Sequence, residues 1–286
     1  MLDPGVNPDE IETGISLFDA LVLGLVEGLT EFLPVSSTGH LILANHMLGL
    51  SESPLTVGIQ FGAITAILVL YWGRLWAAFS SGLRRPEPGA ARAPNLLLQI
   101  AIAAVPAAVL GLILGDWIEQ NLFSVQFVAL TMTLGGVLLL VLEFWVRRSG
   151  RAERLGSLAD MPYQTALWIG VWQCVALLPG TSRSAATIAG ALLLGLSRTA
   201  AAEISFLVGL PILYGACLLK IFQHHELLSG PLLEPMLVAT SAAFVSALLV
   251  VRPFVHYLRR HTFAVFAVYR IAAGLLIVAG IAKGIL

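Results

Sequence analysis

The sequence predicts an all-α, polytopic membrane protein. Of its 286 residues, 58% are hydrophobic and only 12% are charged, and the mean hydropathy is +0.89. A soluble domain is about a quarter charged, so most of this surface is expected to face lipid. The apolar runs are long and do not alternate as barrel strands do, which favours spanning helices. The net charge of −1 gives no indication of a nucleic-acid partner.

Apolar runs follow one another along nearly the whole chain. They lie at roughly 16–33, 55–80, 96–115, 123–146, 163–180, 185–196, 200–222, 235–258 and 262–286. A bilayer crossing takes about 20 apolar residues, so we expect about six full transmembrane helices. The acidic N-terminus lacks the basic segment of a signal peptide, and the first run is therefore expected to be retained.

Two regions are apolar but broken by polar residues. Region 16–50 is interrupted at Pro34 by the segment PVSSTG, and region 163–199 at Pro179 by the segment PGTSRS. Arginines lie in or flank the loops that the positive-inside rule places in the cytoplasm. They are Arg84, Arg85, Arg92, Arg147, Arg148, Arg151, Arg154, Arg252, Arg259 and Arg260. With this orientation each broken region starts and ends on one side, which predicts two re-entrant helix-loop-helix hairpins that enter from opposite faces. Both termini are then outside.

The two broken regions resemble each other. The segment GLVEGLTEFLPVSSTGHLIL is similar to GVWQCVALLPGTSRSAATIA about 145 residues later, which pairs Pro34 with Pro179 and Ser37 with Ser182. We therefore predict a single membrane domain, 1–286, built as an inverted repeat. Repeat 1 covers about 16–146, repeat 2 covers about 163–286, and the basic segment 147–162 links them. Transporter folds share this organisation and carry their polar site between the repeats.

Each break precedes an apolar helical run, and a Ser/Thr cluster before a helix is an N-cap pattern. Helix N-termini present free backbone N–H groups, which bind anions, and Arg183 adds a permanent positive charge suited to phosphate. The breaks therefore predict a phosphate site. The hydroxyl groups could instead be helix caps with no further role.

Glu27 and Glu31 are four residues apart and share one helical face. Two carboxylates beside a phosphate would repel it unless a divalent cation, Mg²⁺ or Ca²⁺, lies between them. The pair could also share a proton and serve in acid/base chemistry. Candidate nucleophiles are Ser36, Ser37 and Thr38, and His40 is a candidate base or acid.

Further polar residues lie within apolar runs. Arg270 is interpreted as a counter-ion or as a residue that reaches the membrane interface. Candidate cavity-lining residues are Gln60, Glu203, Ser205 and Arg270.

The segment EGLTEFLPVSSTGH, followed by LPGTSRSAAT, closely resembles the undecaprenyl-diphosphatase family, also called bacitracin-resistance proteins. The similarity extends to IQFGAI at 59–64 and LSRTAAAEISF at 196–206. This resemblance implies hydrolysis of undecaprenyl diphosphate to undecaprenyl phosphate, the lipid carrier for cell-wall polymers. It also implies bacitracin resistance, a divalent cation, the bacterial inner membrane and a site open to the periplasmic face.

The resemblance also assigns roles to residues. It implies that Glu27 and Glu31 form the catalytic and metal-binding glutamate motif, that Ser37 is the nucleophile and that Arg183 binds phosphate. His40 is the motif histidine. The remaining polar motif positions are Ser36, Thr38, Ser182, Ser184 and Thr187.

Two alternatives stay open at this point. Water could attack the phosphate directly, with the same residues and no covalent phosphoserine. The inverted repeat also suits a lipid-phosphate flippase or an anion-coupled transporter, which needs anion binding but no nucleophile. The expected partners are the polyprenyl diphosphate and bilayer lipid, and a homodimer remains open.

Overall fold

The computed structural model describes residues 15–50, 55–83, 94–148, 155–223 and 230–286. These residues are mostly α-helical. The helices are α1 (Leu17–Thr30), α2 (Ser37–Met47), α3 (Thr56–Leu83), α4 (Leu96–Leu122), α5 (Val125–Arg148), α6 (Tyr163–Gln173), α7 (Arg183–Leu193), α8 (Arg198–Gln223), α9 (Leu233–Leu258) and α10 (Ala264–Ala282). Short 3₁₀ turns lie at Leu158–Asp160, Cys174–Leu177 and Gly230–Leu232.

Six helical segments in the described chain are long and apolar enough to cross a membrane. They are Thr56–Ser81, Leu96–Leu122, Val125–Arg148, Arg198–Gln223, Gly230–Leu258 and Ala264–Ala282. The predicted class, an all-α polytopic membrane protein with about six spanning helices, is confirmed.

The four remaining helices are short and form two pairs, α1 with α2 and α6 with α7, and the helices of each pair pack against each other. At 1.5 Å per residue, the 14 residues of α1 extend about 21 Å and the 11 residues of α2 about 17 Å. Both lengths fall short of a hydrocarbon core of about 30 Å. Re-entrant placement of the pairs stays a prediction, as does the location of the termini. Arg84, Arg85, Arg92, Arg151 and Arg154 lie outside the described residues.

Small residues let the helices pack closely, and their contacts give the relative directions. Gly58 and Gly62 of α3 meet Met236 and Thr240 of α9, so these two helices are parallel. Backbones can approach this closely only where side chains are small. In the same way α1 lies parallel to α9, because Gly24 faces Ala239 and Gly28 faces Ala243. The prediction that the first hairpin starts and ends on the outer side requires α1, α3 and α9 to run in the same direction.

The two breaks end in the same helix-cap conformation. Ser36 (φ 73°) and Ser182 (φ 69°) are the N-caps of α2 and α7, and both adopt positive φ, which is strained for a residue other than glycine. The structural counterpart of Ser37 is therefore Arg183. The predicted pairing of Ser37 with Ser182 is wrong by one residue, because the break lengthens by one residue relative to the proline. The repeat boundaries stay a prediction.

Candidate functional site

The two breaks lie against each other. The Ser184 hydroxyl, in the first turn of α7, donates to the backbone oxygen of Leu33 at 2.9 Å. Thr131 of α5 contacts the second break, because its hydroxyl donates to the backbone oxygen of Pro179. The start of α2 and the start of α7 therefore meet in one place, although they are almost 150 residues apart in sequence.

Both helix starts offer backbone donors to a ligand. The Ser36 and Ser182 hydroxyls accept the third N–H of their helices, at Gly39 and Ala185. The first N–H groups of a helix have no intrahelical acceptor. Here those groups belong to Ser37, Thr38, Arg183 and Ser184. These donors match those of the anion sites that helix N-termini form.

One carboxylate connects the nucleophile candidate with the phosphate-binding candidate. The Ser37 hydroxyl donates to Glu31 Oε2 at 2.7 Å. Arg183 donates to Glu31 Oε1 from Nε and from Nη2, at 3.3 Å each. Glu31 can therefore accept a proton from Ser37 while the guanidinium holds the carboxylate in place.

The Arg183 guanidinium is closely surrounded by Ser205, Phe32 and Gly209. Its Nη1 donates to the backbone oxygen of Ser205 at 2.7 Å, and its Cζ lies 5.8 Å from the ring centre of Phe32. A Cβ atom at Gly209 would lie 2.7 Å from Nη1, so a side chain there would displace the guanidinium. A guanidinium has five N–H groups, and three of them are engaged with Glu31 and Ser205. Two N–H groups remain for a phosphate.

Glu27 is a buried carboxyl without a hydrogen-bond partner. It is 0% exposed, and both of its oxygens lack a partner among the described residues. Burial, and secondarily the negative charge of Glu31, raise the pKa of Glu27, while Arg183 acts in the opposite direction. A buried carboxylate in this setting requires either a proton or a cation. The atoms thus suit the predicted metal site.

His40 holds the strained cap of α2. Its Nδ1 lies 2.7 Å from the backbone oxygen of Ser36 and its Nε2 lies 2.6 Å from the Tyr269 hydroxyl. A carbonyl only accepts, so Nδ1 carries the proton and Nε2 accepts from Tyr269. Burial lowers the pKa of His40, which favours the neutral ring. With both nitrogens occupied, it is Glu31 rather than His40 that contacts the Ser37 hydroxyl.

Arg270 joins the two breaks through backbone carbonyls. It is 0% exposed and donates to Thr181 at 2.8 Å and to Gly180 and Met132 at 3.2 Å, with longer bonds to Thr131 and Pro34. No carboxylate is bonded to it in the described part of the chain. The complete burial excludes the interpretation as an interfacial residue, and a role as counter-ion to a bound anion stays a prediction. A guanidinium has five N–H groups, more than any other side chain, and can therefore donate to all five of these backbone carbonyls.

The other predicted residues lie at varying distances from this junction. Ser182 and Ser184 share a hydrogen bond of 3.0 Å, and the Thr187 hydroxyl bonds to the Ser205 hydroxyl between α7 and α8. Thr38 and Gln60 are half-buried. Glu203 forms an ion pair of 2.6 Å with Arg74. Two residues along a helix turn by about 200°, so Glu203 and Ser205 face opposite sides of α8.

Sequence reasoning missed the supporting residues Tyr269, Gly209 and Phe32. Only Tyr269 left a signal, as a neighbour of the intramembrane Arg270. No group of three or more potential metal ligands from His, Cys, Asp and Glu occurs in the described ranges. A cation at Glu27 and Glu31 would therefore complete its coordination with oxygens from substrate or water, as Mg²⁺ commonly does.

Comparison with known proteins gives matches over nearly the whole chain. Residues 20–276 match the family described as bacitracin resistance protein BacA. The chain is 40% identical over 266 residues to undecaprenyl-diphosphatase 1 of Acinetobacter baylyi, with 91% of this chain and 94% of that protein covered. It is 43% identical over 264 residues to the undecaprenyl-diphosphatase of Nitrosomonas eutropha, with 91% and 93% covered. For the undecaprenyl-diphosphatase of Verminephrobacter eiseniae the identity is 41% over 273 residues, with 94% and 97% covered.

Proposed function

The chain belongs to the bacitracin resistance protein BacA family, and we infer that it hydrolyses undecaprenyl diphosphate to undecaprenyl phosphate and inorganic phosphate. Relatives that align over more than nine-tenths of both chains are named for this activity. Six membrane-spanning helices suit an enzyme that acts on a polyprenyl lipid. The reaction returns the lipid carrier to cell-wall synthesis and supports bacitracin resistance. The flippase or transporter alternative is not favoured by these relatives.

The observation that carries the assignment of the site is the contact of Ser37 with Glu31 beside Arg183, at two helix N-termini. The terminal phosphate would accept hydrogen bonds from the free backbone N–H groups and from the two unused N–H groups of Arg183. Of the hydroxyl residues predicted to bind phosphate, Ser36, Thr38, Ser182 and Ser184 lie at these two helix starts, whereas the Thr187 hydroxyl bonds to Ser205 between α7 and α8. The backbone N–H groups and the guanidinium would stabilise negative charge on the phosphate oxygens as it develops.

Ser37 would act as the nucleophile. Its Oγ attacks the terminal phosphorus while Glu31 accepts its proton, and the bond to the bridging oxygen breaks. Undecaprenyl phosphate leaves, and water then hydrolyses the phosphoserine to release inorganic phosphate. Direct attack by water, with Glu31 as base, uses the same residues and forms no phosphoserine. In both cases His40 and Tyr269 fix the start of α2, and Arg270 fixes the two breaks.

A divalent cation fits the unpartnered carboxylate of Glu27. Glu27 and Glu31 would hold Mg²⁺ or Ca²⁺, which when bound supplies positive charge that offsets the charge of the diphosphate. A cation would reduce the repulsion between the acidic pair and the phosphate in this buried place. Placement in the bacterial inner membrane, with the site open to the periplasmic face and both termini outside, rests on the arginine distribution and on the shared direction of α1, α3 and α9.

The test uses purified full-length protein and undecaprenyl diphosphate, with phosphate release and lipid product both measured. Wild type should produce equal amounts of phosphate and undecaprenyl phosphate, and a chelator should stop the reaction. Ser37→Ala should lose activity, whereas Ser80→Ala, which removes a hydroxyl on α3, should not. Near-wild-type turnover by Ser37→Ala would exclude the phosphoserine and favour direct attack by water. Folded wild type without any product would refute the enzyme, and lipid movement across liposomes would then test the transporter.

A further inference from the structure

A cavity lies between two spanning helices, outside the site described above. Helices α3 and α9 touch at Gly58 and Gly62, and the cavity lies further along both helices. The space between them has a volume of about 400 Å³. It is lined by Leu70, Tyr71, Val251, Arg252, Val255, His256 and Arg259.

The lining combines positive charge with an apolar wall. Arg252, His256 and Arg259 follow one another at spacings of four and three residues, so they share one face of α9. All three are exposed, and no acidic residue lines the cavity. The ion pairs of the described residues involve Arg74, Arg183 and Arg198, so neither Arg252 nor Arg259 is neutralised by a carboxylate there. This chemistry suits an anion that is attached to an apolar chain.

Neighbouring aromatic residues place the cavity at the membrane interface. Trp72, Trp76 and Phe79 follow Tyr71 along α3 and are all about half exposed. Their rings form a row, with centres 6.2 Å apart for the two tryptophans and 5.6 Å apart for Trp76 and Phe79. Exposed tryptophans on spanning helices concentrate at the level of the lipid head groups. The basic residues are therefore at the right depth to meet a lipid phosphate.

The cavity is separate from the catalytic junction. Gly28, one turn before Glu31 on α1, packs against Ala243 and Ser246 of α9. Arg252 and Arg259 lie 6 and 13 residues beyond Ser246. Because α1 and α9 are parallel, Glu31 lies about one turn nearer to the cavity than Gly28, so at 1.5 Å per residue the two arginines lie about 5 to 15 Å beyond Glu31 along the helix axis. None of Glu31, Ser37 and Arg183 lines the cavity. A ligand in the cavity would not be the substrate in its reacting position.

We propose that the cavity between α3 and α9 binds the phosphate head group of an anionic membrane lipid. Arg252, His256 and Arg259 contact the phosphate, and the lipid chain lies along Leu70, Val251 and Val255. Two lipids share this chemistry: an anionic glycerophospholipid such as phosphatidylglycerol, and the monophosphate of the polyprenyl carrier. Basic pockets between transmembrane helices are known to take lipid head groups of this kind.

Basic residues at a helix C-terminus also have a general explanation. They complement the helix dipole and follow the charge bias of cytoplasmic loops. Arg147 and Arg148 at the end of α5 satisfy the same general explanation, but they do not line the cavity. They therefore provide the matched control.

The experiment is native mass spectrometry of the full-length protein in detergent, with phosphatidylglycerol, undecaprenyl phosphate, phosphatidylcholine or inorganic phosphate added separately. The wild type should retain one molecule of an anionic lipid. Of phosphatidylglycerol and undecaprenyl phosphate, the one that binds at the lower concentration is the ligand that the cavity prefers. The double variant Arg252→Gln/Arg259→Gln should bind at least tenfold more weakly, while Arg147→Gln/Arg148→Gln should bind as the wild type does. Val255→Trp, which fills the cavity and keeps the charges, should also weaken binding.

Several results would overturn the proposal. Equal weakening of lipid binding in the two arginine double variants would show that general interfacial charge, and not the cavity, causes the effect. Unchanged binding to Val255→Trp would place the lipid elsewhere, and retention of inorganic phosphate alone would indicate a free-anion site. Phosphate release from undecaprenyl diphosphate is measured on the same samples, so a failed lipid site and a failed enzyme are distinguishable.

Discussion

Gly209→Ala should separate catalysis from stability. The added Cβ would lie 2.7 Å from Arg183 Nη1, and an ordinary contact needs at least 3.4 Å, so the guanidinium must move by about 0.7 Å. The backbone can stay in place because the guanidinium is the end of a flexible side chain. Alanine is favoured over glycine inside a helix by about 1 kcal/mol, so the fold should not be weakened. A misplacement of about 1 Å can cost on the order of 100-fold in rate.

We therefore expect turnover of undecaprenyl diphosphate to fall about 10- to 100-fold while the thermal unfolding midpoint is unchanged or higher. Gly215→Ala on the same helix is the control, because a Cβ there meets nothing within 4 Å. Phosphate release and thermal unfolding are measured on all three proteins in the same detergent. Wild-type turnover by a correctly folded Gly209→Ala protein would refute the role given to Arg183.

Three further predictions concern the residues around the junction. Arg270→Lys keeps the charge but has only three donors for five carbonyls, so the free energy of unfolding should fall by about 2–6 kcal/mol. A thermal midpoint equal to that of the Arg148→Lys control would show that the Arg270 hydrogen bonds do not stabilise the two breaks. Tyr269→Phe removes the bond to His40 and should lower turnover a few-fold with little change in the unfolding midpoint, whereas loss of folding would show that the tyrosine has a packing role instead. The raised pKa of Glu27 means that protons compete with the cation at a higher pH than for an ordinary glutamate. The cation concentration for half-maximal activity should therefore rise as pH falls, and Glu27→Gln should remove this dependence; a pH-independent cation requirement in wild type would count against Glu27 as a ligand.

Hydropathy alone was sufficient to predict the spanning helices, because a bilayer imposes a length on every apolar segment. The breaks were also visible in the sequence, since prolines and hydroxyl residues inside apolar runs are costly without a role. The contact of Ser37 with Glu31 was not predictable from helical spacing, because the two residues belong to different helices and meet across the bend at Pro34.

Long-range contacts explain the errors. The acceptors of Arg270 lie up to 236 residues away in sequence, on both breaks and on α5, so the sequence of its own helix does not reveal them. The one-residue shift between Ser37 and Ser182 arose because identical residues were aligned, whereas the backbone conformation is shared by Ser36 and Ser182. The roles of Gly209 and Phe32 follow from what packs around Arg183, and local sequence carries no sign of that.

The decisive measurement is phosphate release from undecaprenyl diphosphate by the wild type and by Arg183→Lys. Lysine keeps the positive charge beside Glu31 but lacks the planar fork that serves the carboxylate and the phosphate together. If hydrolysis occurs where the two breaks meet, the wild type releases one phosphate per lipid and Arg183→Lys, still folded, loses about 100-fold or more. Equal rates for the two proteins, or no release by the folded wild type, would contradict that location or the activity itself.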